Sequence, residues 1–520
     1  MNKNIIKLIK NMYEKTSISL KMNNQLTHSF RTHKGVRQGC ILSPRLFNYF
    51  INDIPDIFDS CCEPVLLGSE RLSCLMYADD LVILSESESG LQNCLNKLHD
   101  YTRKWQLDIN LKKTKIISFQ CGGRASETKF FLNSQIVERV KSYKYLGTFI
   151  TNTGNFSLNE NNLKKKGLRA SYLIAKNIGM CSKPSTSIKI FEKVVEPILM
   201  YNSEVALAYM PKTWDFLKFR GKVWEVGSEI NRVLLGFLRQ TLGVIKKTPN
   251  FAILGETGKY PVAVNIFIQI IKYWFRLCTS QNPLLAAARR VNTDLNAGGG
   301  QNWLKIVDYL IRITGVNLDP VGGAQVDTKK QIRDFKVGIR SLFEKSWHEK
   351  LAAHENNKLD FFYKYKRIFR FENYLDRIPR HIRLYITRLR TSSHNLPVER
   401  LRYSKNKPER ADRKCDICRL GGVGDERHLL LQCNGIGLND IRLNFIDNIR
   451  NTIPQFENFT DENIIDYCLT MQDENLQLPM ASFVKQMSIA YKEEKEENVV
   501  CVPTATRSGR VVKKPDKLDL

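Results

Sequence analysis

One stretch of the chain has a pattern of apolar and polar positions that predicts a tight β-hairpin. Residues 74–84 place two apolar runs of strand length on either side of a Tyr-Ala-Asp-Asp tetrapeptide, so Asp79 and Asp80 lie at or near its tip. Adjacent ionised acids between apolar strands are costly unless water or a cation compensates them, and divalent ions take carboxylate oxygens readily. A solvated acidic turn is the simpler alternative, because Asp is common in turns.

Elsewhere the apolar period is close to 3.6, which predicts helices. Ser43 and Pro44 are typical of a helix start, and Pro55 is expected to end that helix. From residue 163 onward helical stripes dominate the chain. The stripe that follows the hairpin, expected to pack on its sheet, contains Leu91, Cys94, Leu95, Leu98 and Tyr101.

The charge of the chain indicates a class of partner. Of 520 residues, 80 are Lys or Arg and 53 are Asp or Glu, which gives a net charge of +27. Charge on this scale favours a nucleic acid or an anionic membrane surface. The longest apolar stretch, residues 260–271, contains Asn265 and Gln269 and is too short and too polar to span a membrane. With no signal-peptide pattern at the N-terminus, we expect a location in the nucleus or cytoplasm, neither secreted nor in a membrane.

Residues 331–405 interleave basic and aromatic side chains. This composition favours nucleic acid, because cations meet phosphates and aromatic rings stack on bases. A merely solvated basic face is the alternative, and the high net charge speaks against it. The side chains predicted to bind nucleic acid are Arg388, Arg390, Arg400 and Arg402.

A Cys/His cluster follows the basic stretch. Cys415, Cys418, His428 and Cys433 supply three thiolates and one imidazole, a complete tetrahedral shell for zinc at knuckle-like spacing. His394 is the rival imidazole but lies far from the cluster in sequence. We therefore expect a Zn²⁺ site, and we expect the other cysteines to be reduced because no secretory signal is seen.

Two motifs together resemble the reverse transcriptase of non-LTR (LINE-type) retrotransposons. The first, residues 35–48, reads Gly-Val-Arg-Gln-Gly-Cys-Ile-Leu-Ser-Pro-Arg-Leu-Phe-Asn, and the second is the Tyr-Ala-Asp-Asp of residues 77–80. The resemblance implies RNA-directed DNA synthesis by two-metal nucleotidyl transfer, with Mg²⁺ as cofactor and an RNA template and DNA primer as partners.

The same resemblance implies residue roles. Two of these roles have a simpler alternative. Lys113 would then be an ordinary surface lysine, and residues 143–147 would form an ordinary hairpin. The implied roles are Asp79 and Asp80 as catalytic Mg²⁺ ligands, Arg37, Gln38, Gly39 and Lys113 at the nucleotide and template, and Tyr145, Leu146 and Gly147 as a primer grip.

The predicted fold class is α+β: a partial polymerase palm of the right-hand reverse transcriptase fold, then a helical thumb-like region and a C-terminal zinc knuckle. Asn202 stands where the resembled family usually has Gly, at a position suited to positive φ, which Asn tolerates better than most residues. The predicted segments are a partial palm over 1–152, thumb-like helices over 153–285, a helical basic region over 286–405, a CCHC zinc knuckle over 406–440, a helical end over 441–490 and a disordered basic tail over 491–520.

The chain departs from the resembled family upstream of the loop that starts at Gly35. In the family the first catalytic Asp lies on a strand before this loop, but the only acid in residues 1–52 is Glu14, in a different context. Two-metal chemistry needs carboxylates from separate strands. We therefore expect a reverse transcriptase region truncated at its N-terminus and inactive by itself. The alternative is a non-catalytic nucleic-acid-binding remnant of such an element.

Overall fold

The chain folds into two compact units, which are described separately. Unit 1 consists of Met1–Asn155 and Ser280–Gly298, and unit 2 consists of Phe156–Thr279 and Gly299–Leu520. The computed structural model describes residues 2–14, 16–32, 35–58, 63–119, 127–178, 183–206, 223–298, 302–320, 327–352, 358–418 and 420–500.

The strands of unit 1 form short antiparallel ladders. In the described residues each strand pairs with one neighbour, so six two-stranded sheets stand in place of one continuous sheet. The pairs are β1–β4, β2–β3, β5–β6, β7–β8, β9–β10 and β11–β12. The strands are β1 Ser17–Ile18, β2 Lys21–Met22, β3 Gln25–Leu26, β4 Phe30–Arg31, β5 Val65–Leu67, β6 Glu70–Leu72, β7 Cys74–Tyr77, β8 Asp80–Ile83, β9 Phe130–Leu132, β10 Gln135–Val137, β11 Ser142–Tyr145 and β12 Thr148–Thr151.

One helix of unit 1 joins two small apolar cores. Glu88–Lys104 starts at Ser87, whose Oγ accepts a hydrogen bond from the amide of Gly90 at 2.9 Å. Its Cys94 side packs with Met76 of β7, and its Leu95 side packs on β9. The predicted helix against the hairpin is therefore confirmed. The helices of unit 1 are Lys3–Glu14, Ser43–Phe50, Ile54–Phe58, Glu88–Lys104 and Pro283–Ala297.

Unit 2 is helical, as the apolar stripes predict. Its α-helices are Ser157–Ile178, Pro184–Ile190, Glu196–Leu199, Ser203–Ala206, Ser228–Leu242, Asn250–Thr257, Val262–Thr279, Leu304–Thr314, Thr328–Ala352, Asp360–Tyr365, Tyr374–Arg377, Arg380–Arg390, Pro397–Arg400, Leu438–Thr452, Asp461–Leu469 and Glu474–Val500. Single 3₁₀ turns cover Val223–Glu225, Leu401–Tyr403, Arg410–Asp412 and Pro454–Phe456, and π-helical turns cover Phe191–Val195 and His428–Gln432. Asn202 has a φ of 54°, so the predicted positive φ is confirmed.

One extensive apolar core runs through unit 2. Val262–Thr279 is the one described helix long and apolar enough to cross a membrane, and half of it is buried in this core. Its Ile266 and Ile270 are completely buried. These contacts are those of a core helix.

Three sequence expectations are wrong in detail. Pro55 does not end the helix that begins at Ser43; it lies in the first turn of Ile54–Phe58, where its missing N–H costs no hydrogen bond. The predicted disorder from residue 491 begins too early, because Tyr491 is buried and Glu474–Val500 continues past it. Residues 501–520 lie outside the described residues. Cys94 is disulfide-bonded, although a reduced thiol was expected.

Candidate functional site

The acidic tetrapeptide forms the tip of the β7–β8 hairpin, as predicted. Tyr77 pairs with Asp80, which leaves Ala78 and Asp79 as a two-residue turn. Ala78 has a φ of 53°, a left-handed conformation that suits tight hairpin turns but is uncommon for a residue with a Cβ. Tyr77, Asp79 and Asp80 are exposed, so both carboxylates face solvent.

A second hairpin of unit 1 approaches this tip. β11 and β12 are joined by Leu146 and Gly147, both with positive φ, as a tight two-residue turn requires. Partial burial raises the pKa of Tyr145, and the nearby Asp80 carboxylate raises it further. The structure thus brings residue 145 of the predicted primer grip within electrostatic reach of Asp80.

The Gly35 loop is exposed in unit 1. Gly35 and Gly39 have φ values of 84° and 81°, and apart from their chain neighbours no heavy atom of the described residues lies within 4 Å of a Cβ placed on either. Both glycines therefore serve the backbone conformation and leave the loop surface open. The guanidinium of Arg37 is hydrogen-bonded within the protein: its Nε donates to Thr16 Oγ1 at 3.0 Å, and a terminal nitrogen donates to the Met12 carbonyl.

Gln38 and Lys113 are exposed side chains. The Lys113 amide donates to Asn110 Oδ1 at 3.2 Å, which orders the turn that carries the lysine and leaves its ammonium group at the surface. Both interpretations of Lys113, a nucleotide contact and an ordinary surface lysine, remain compatible with this position.

The four predicted metal ligands come together in unit 2. Ligand atoms of Cys415, Cys418, His428 and Cys433 all lie within 4.8 Å of one another. Cys415 Sγ and Cys433 Sγ are 3.7 Å apart, and Cys418 Sγ is 3.1 Å from His428 Nε2. Zinc bonds of about 2.3 Å in a tetrahedron hold two sulfurs about 3.8 Å apart, so this donor set fits zinc.

The thiols of this cluster are electrostatically coupled. The hydrogen bond between the two sulfurs lowers the pKa of Cys415 to about 3 and raises that of Cys433. When the two sulfurs share one proton, one of them is a thiolate, which is the form that binds a metal.

Backbone contacts and cations brace the cluster. Arg442 is buried and donates to the carbonyls of Leu430 and Cys433, both at 2.8 Å. Gly422 is needed for close approach, because a Cβ there would lie 3.0 Å from the His428 ring. The knuckle residue Asp416 is held by Arg400 and Lys495.

His394 is not part of the cluster. Its Nε2 lies 2.7 Å from a carboxylate oxygen of buried Glu426, which also accepts from Ser392 Oγ. Although burial opposes it, His394 holds the pKa of Glu426 below the usual range. The rival ligand is thus a structural partner of the knuckle.

The four predicted nucleic-acid arginines have different environments. Arg390 is 1% exposed, with Nε 2.7 Å from Glu256 Oε1 and a terminal nitrogen bonded to the Leu469 carbonyl, so its prediction as a nucleic-acid contact is wrong. Arg400 pairs with Asp416 and Arg402 with Glu399. Of the four, Arg388 is the exposed one, and its Nε donates to the Gly243 carbonyl.

Most aromatic residues of the basic stretch pack inside the protein. Phe362 and Tyr374 are buried, and Phe369 packs against Tyr260. Most of the rings that were predicted to stack on bases therefore belong to the packed core. Tyr403, by contrast, is 45% exposed.

Next to the knuckle, unit 2 has a cavity of about 220 Å³. Its lining includes five bases and four acids on an apolar floor of Phe361 and Val398. The acids are paired: Glu399 with Lys358, and Asp425 with Arg410. This balance of charge makes the cavity a poor site for a polyanion.

Three residues of interest were not predicted from the sequence: Arg442, Lys246 and Lys247. Arg442 lies in an ordinary amphipathic helix, so no local pattern marks it. The two adjacent lysines follow Gly243 in a loop, and their exposure next to Tyr403 depends on contacts about 150 residues apart in sequence.

The first 150 residues of the chain are similar to known proteins. Residues 1–150 match the family described as reverse transcriptase (RNA-dependent DNA polymerase). The RNA-directed DNA polymerase from mobile element jockey of Drosophila melanogaster is 28% identical over 184 residues, which cover 33% of this chain and 19% of that protein. The Pol polyprotein from type-1 retrotransposable element R2 of Popillia japonica is 27% identical over 187 residues, 34% of this chain and 25% of that protein. The matched part thus spans a quarter or less of these two relatives.

Proposed function

We propose that the chain carries part of an RNA-directed DNA polymerase centre, because residues 1–150 match the reverse transcriptase family and are similar to polymerases of non-LTR elements. The observation that carries the proposal is the exposed turn of the β7–β8 hairpin, which presents Asp79 and Asp80, with Asp80 near Tyr145. An RNA template and a DNA primer are the proposed partners. Gln38, Gly39 and Lys113 are proposed to contact template and nucleotide from exposed positions.

Asp79 and Asp80 would hold Mg²⁺. The fit is good for a partial site, because Mg²⁺ is usually bound by one or two carboxylates together with substrate phosphates. When bound, the ions neutralise the charge that develops on the triphosphate. In the part of the chain that the structure describes, no third acid or histidine joins these two in a cluster.

This chain by itself is proposed not to extend a primer. Residues 1–52 contain no Asp, so the carboxylate that the family supplies from an upstream strand has no counterpart in this sequence. A metal pair that lacks one of its primary ligands is held too weakly for in-line displacement.

A primer-extension assay on an RNA template tests both statements. The purified chain should show no more synthesis than its Asp79→Asn variant. Fusing the fingers and first palm strand of a non-LTR relative to the N-terminus should restore synthesis, and Asp79→Asn should abolish it in the fusion. Synthesis by the unfused chain above the variant would refute inactivity. A well-folded fusion without activity would refute the polymerase assignment.

Cys415, Cys418, His428 and Cys433 are proposed to bind one structural Zn²⁺. The sulfur–sulfur separation and the coupled thiols support this proposal, and zinc would cross-link the two ends of the knuckle. Elemental analysis of protein purified without chelators should give one zinc per chain, and Co²⁺ substitution should give a tetrahedral thiolate spectrum. A zinc-free folded protein would refute this proposal.

Nucleic-acid binding without catalysis is the second candidate function. Its specific support in unit 2 is a group of like charges on the packed helices Val262–Thr279 and Thr328–Ala352. Arg340 chiefly, then burial and Lys272, lower the pKa of Lys336, as expected where positive charges crowd together. Such charge is stabilised by phosphates. Affinity for RNA or DNA without divalent ions should fall linearly on a log–log plot against salt, and insensitivity to salt would refute it.

A further inference from the structure

A loop of unit 2 presents two lysines on a well-fixed backbone. Residues 243–248 are tied down from outside the loop: Arg388 Nε donates to the Gly243 carbonyl at 2.8 Å, and the Ile245 amide donates to Ser393 Oγ at 2.9 Å. The loop is therefore ordered while its cations remain at the surface. These exposed cations are Lys246 and Lys247.

Tyr403 lies beside this loop with part of its ring exposed. Lys247 Nζ is 3.9 Å from the ring centroid, and Lys358 Nζ is 5.4 Å from it. Lys358 Nζ is also 3.4 Å from the Tyr403 hydroxyl, so it lies toward the hydroxyl end of the ring. The ring is thus held in place by two cations while 45% of the residue remains accessible.

The turn after Tyr403 adds two more exposed lysines. The Lys407 amide donates to the Ser404 carbonyl at 3.3 Å, and Lys407 has a φ of 37°, a left-handed conformation that glycine would adopt more easily. The turn presents Lys405 and Lys407 to solvent.

The acid that pairs with Lys358 is turned inward. Glu399 is 5% exposed and is engaged by Lys358 at 2.8 Å and Arg402 at 3.0 Å. Among the described residues, no carboxylate pairs with the cations that remain at the surface. These cations, with the tyrosine, are named the Tyr403 patch: Lys246, Lys247, Arg388, Tyr403, Lys405 and Lys407.

We propose that the Tyr403 patch binds unpaired, single-stranded nucleic acid, an inference that rests on the proposed function of acting on nucleic acid. An accessible ring takes the face of one base, and the surrounding cations meet the phosphates on either side of that base. A duplex keeps its bases stacked inside, so it offers phosphates but no base face. Binding tolerates any base, because every base has a π-face.

Lys247 is expected to move when a base binds to the Tyr403 ring. Its ammonium lies over the ring in the free protein, and the flexible stem lets it move to a phosphate when a base takes its place. The patch therefore keeps its ring covered by a movable charge until a strand arrives.

The test uses the full chain and a labelled mixed-sequence oligonucleotide, offered as a single strand and as a blunt duplex. Tyr403→Ala should weaken single-strand binding roughly tenfold, and Tyr403→Phe should retain it. Duplex binding should change little in either variant. Tyr172→Ala, at an exposed tyrosine outside the patch, is the matched control and should bind as the wild type does.

The lysines are tested by the salt dependence of binding. Lys246→Ala combined with Lys247→Ala should reduce the log–log salt slope for single-strand binding by about 1.4. The same change at another adjacent exposed pair, Lys329 and Lys330, should leave single-strand preference intact. Thermal unfolding of each variant checks that the fold is kept.

The outcomes separate this inference from the proposed function. If the wild type binds nucleic acid but Tyr403→Ala binds single strands equally well, the patch is not the site and only this inference fails. Equal weakening of single-strand and duplex binding would also overturn it. If the wild type binds no nucleic acid at low salt, the proposed function and this inference fail together.

Discussion

The β7–β8 hairpin exposes its two carboxylates on a two-residue turn, whereas the Cys/His cluster of unit 2 buries His428 and Cys433 and is braced by Arg442. Four ligand groups meet in the cluster, but only two adjacent acids meet at the turn. A structural metal site can be completed by one short segment of chain, because its ligands lie close in sequence. A catalytic two-metal site needs carboxylates from separate strands and therefore depends on the assembly of a larger fold.

The largest expected effect is the loss of zinc on changing one ligand. Cys433→Ser should remove most bound zinc and expose unit 2 to proteolysis near the knuckle, because structural zinc typically contributes about 10–16 kcal/mol of apparent binding free energy. Zinc content and limited proteolysis are the measurements. Cys468→Ser, at a buried cysteine outside the cluster, is the control and should keep its zinc. Equal zinc content in the two variants would show that Cys433 is not a zinc ligand, and the comparison of the cluster with the acidic turn would then fail.

The next effect tests the correction at Arg390. Arg390→Ala should lower the free energy of unfolding by about 3–5 kcal/mol, because Glu256 would be left as an unpaired charge in the core. Arg388→Ala, two residues away and exposed, should lower it by only about 0.5–1.5 kcal/mol, because it loses one hydrogen bond, to the Gly243 carbonyl. Urea unfolding followed by circular dichroism measures both. If both variants lower the free energy of unfolding by the same small amount, the Arg390–Glu256 ion pair does not stabilise the core of unit 2.

A smaller effect concerns strain at the acidic turn. Ala78→Gly should stabilise the β7–β8 hairpin by up to about 1 kcal/mol, because glycine adopts a φ of 53° without a Cβ clash. Hydrogen exchange of the hairpin amides should then slow several-fold. Ala78→Val should have the opposite effect, since a β-branched side chain suits this conformation worst. Faster exchange in Ala78→Gly would show that the turn is not strained.

The smallest effect tests whether the two hairpins of unit 1 face each other. Asp80→Asn should lower the pKa of Tyr145, because the neutral amide no longer opposes the phenolate. Burial remains and keeps the pKa above its ordinary value. Titration of labelled tyrosine by NMR is the measurement, and Asp79→Asn is the neighbouring control. An unchanged pKa in Asp80→Asn would mean that the Tyr145 hydroxyl lies away from Asp80.

Local sequence pattern was sufficient for several elements. The two apolar runs of strand length on either side of Tyr77–Asp80 predicted the hairpin, because short apolar runs around a polar tetrapeptide favour two strands joined by a tight turn. The positive φ of Asn202 was predicted from the Gly that the resembled family usually has at this position, together with the tolerance of Asn for this conformation. The spacing of Cys415, Cys418, His428 and Cys433 predicted a cluster whose ligand atoms do meet.

Local pattern was not sufficient for the basic stretch. Arg388 and Arg390 lie in one helix, Arg380–Arg390, two residues and about 200° apart around its axis, so they face opposite sides. Which side is the core depends on Glu256 and Leu469, which arrive from distant parts of the chain. Composition records the charges of this stretch but not the faces on which they lie.

The sequence by itself determined the hairpin, the grouping of Cys415, Cys418, His428 and Cys433, the helical character of the second unit and the excess of positive charge. Only the tertiary structure decided which cations are buried in ion pairs, which rings form the core, and that Lys247 lies beside Tyr403. The physical reason is range: turns and strands follow from neighbouring residues, whereas burial and charge pairing depend on contacts between segments far apart in sequence.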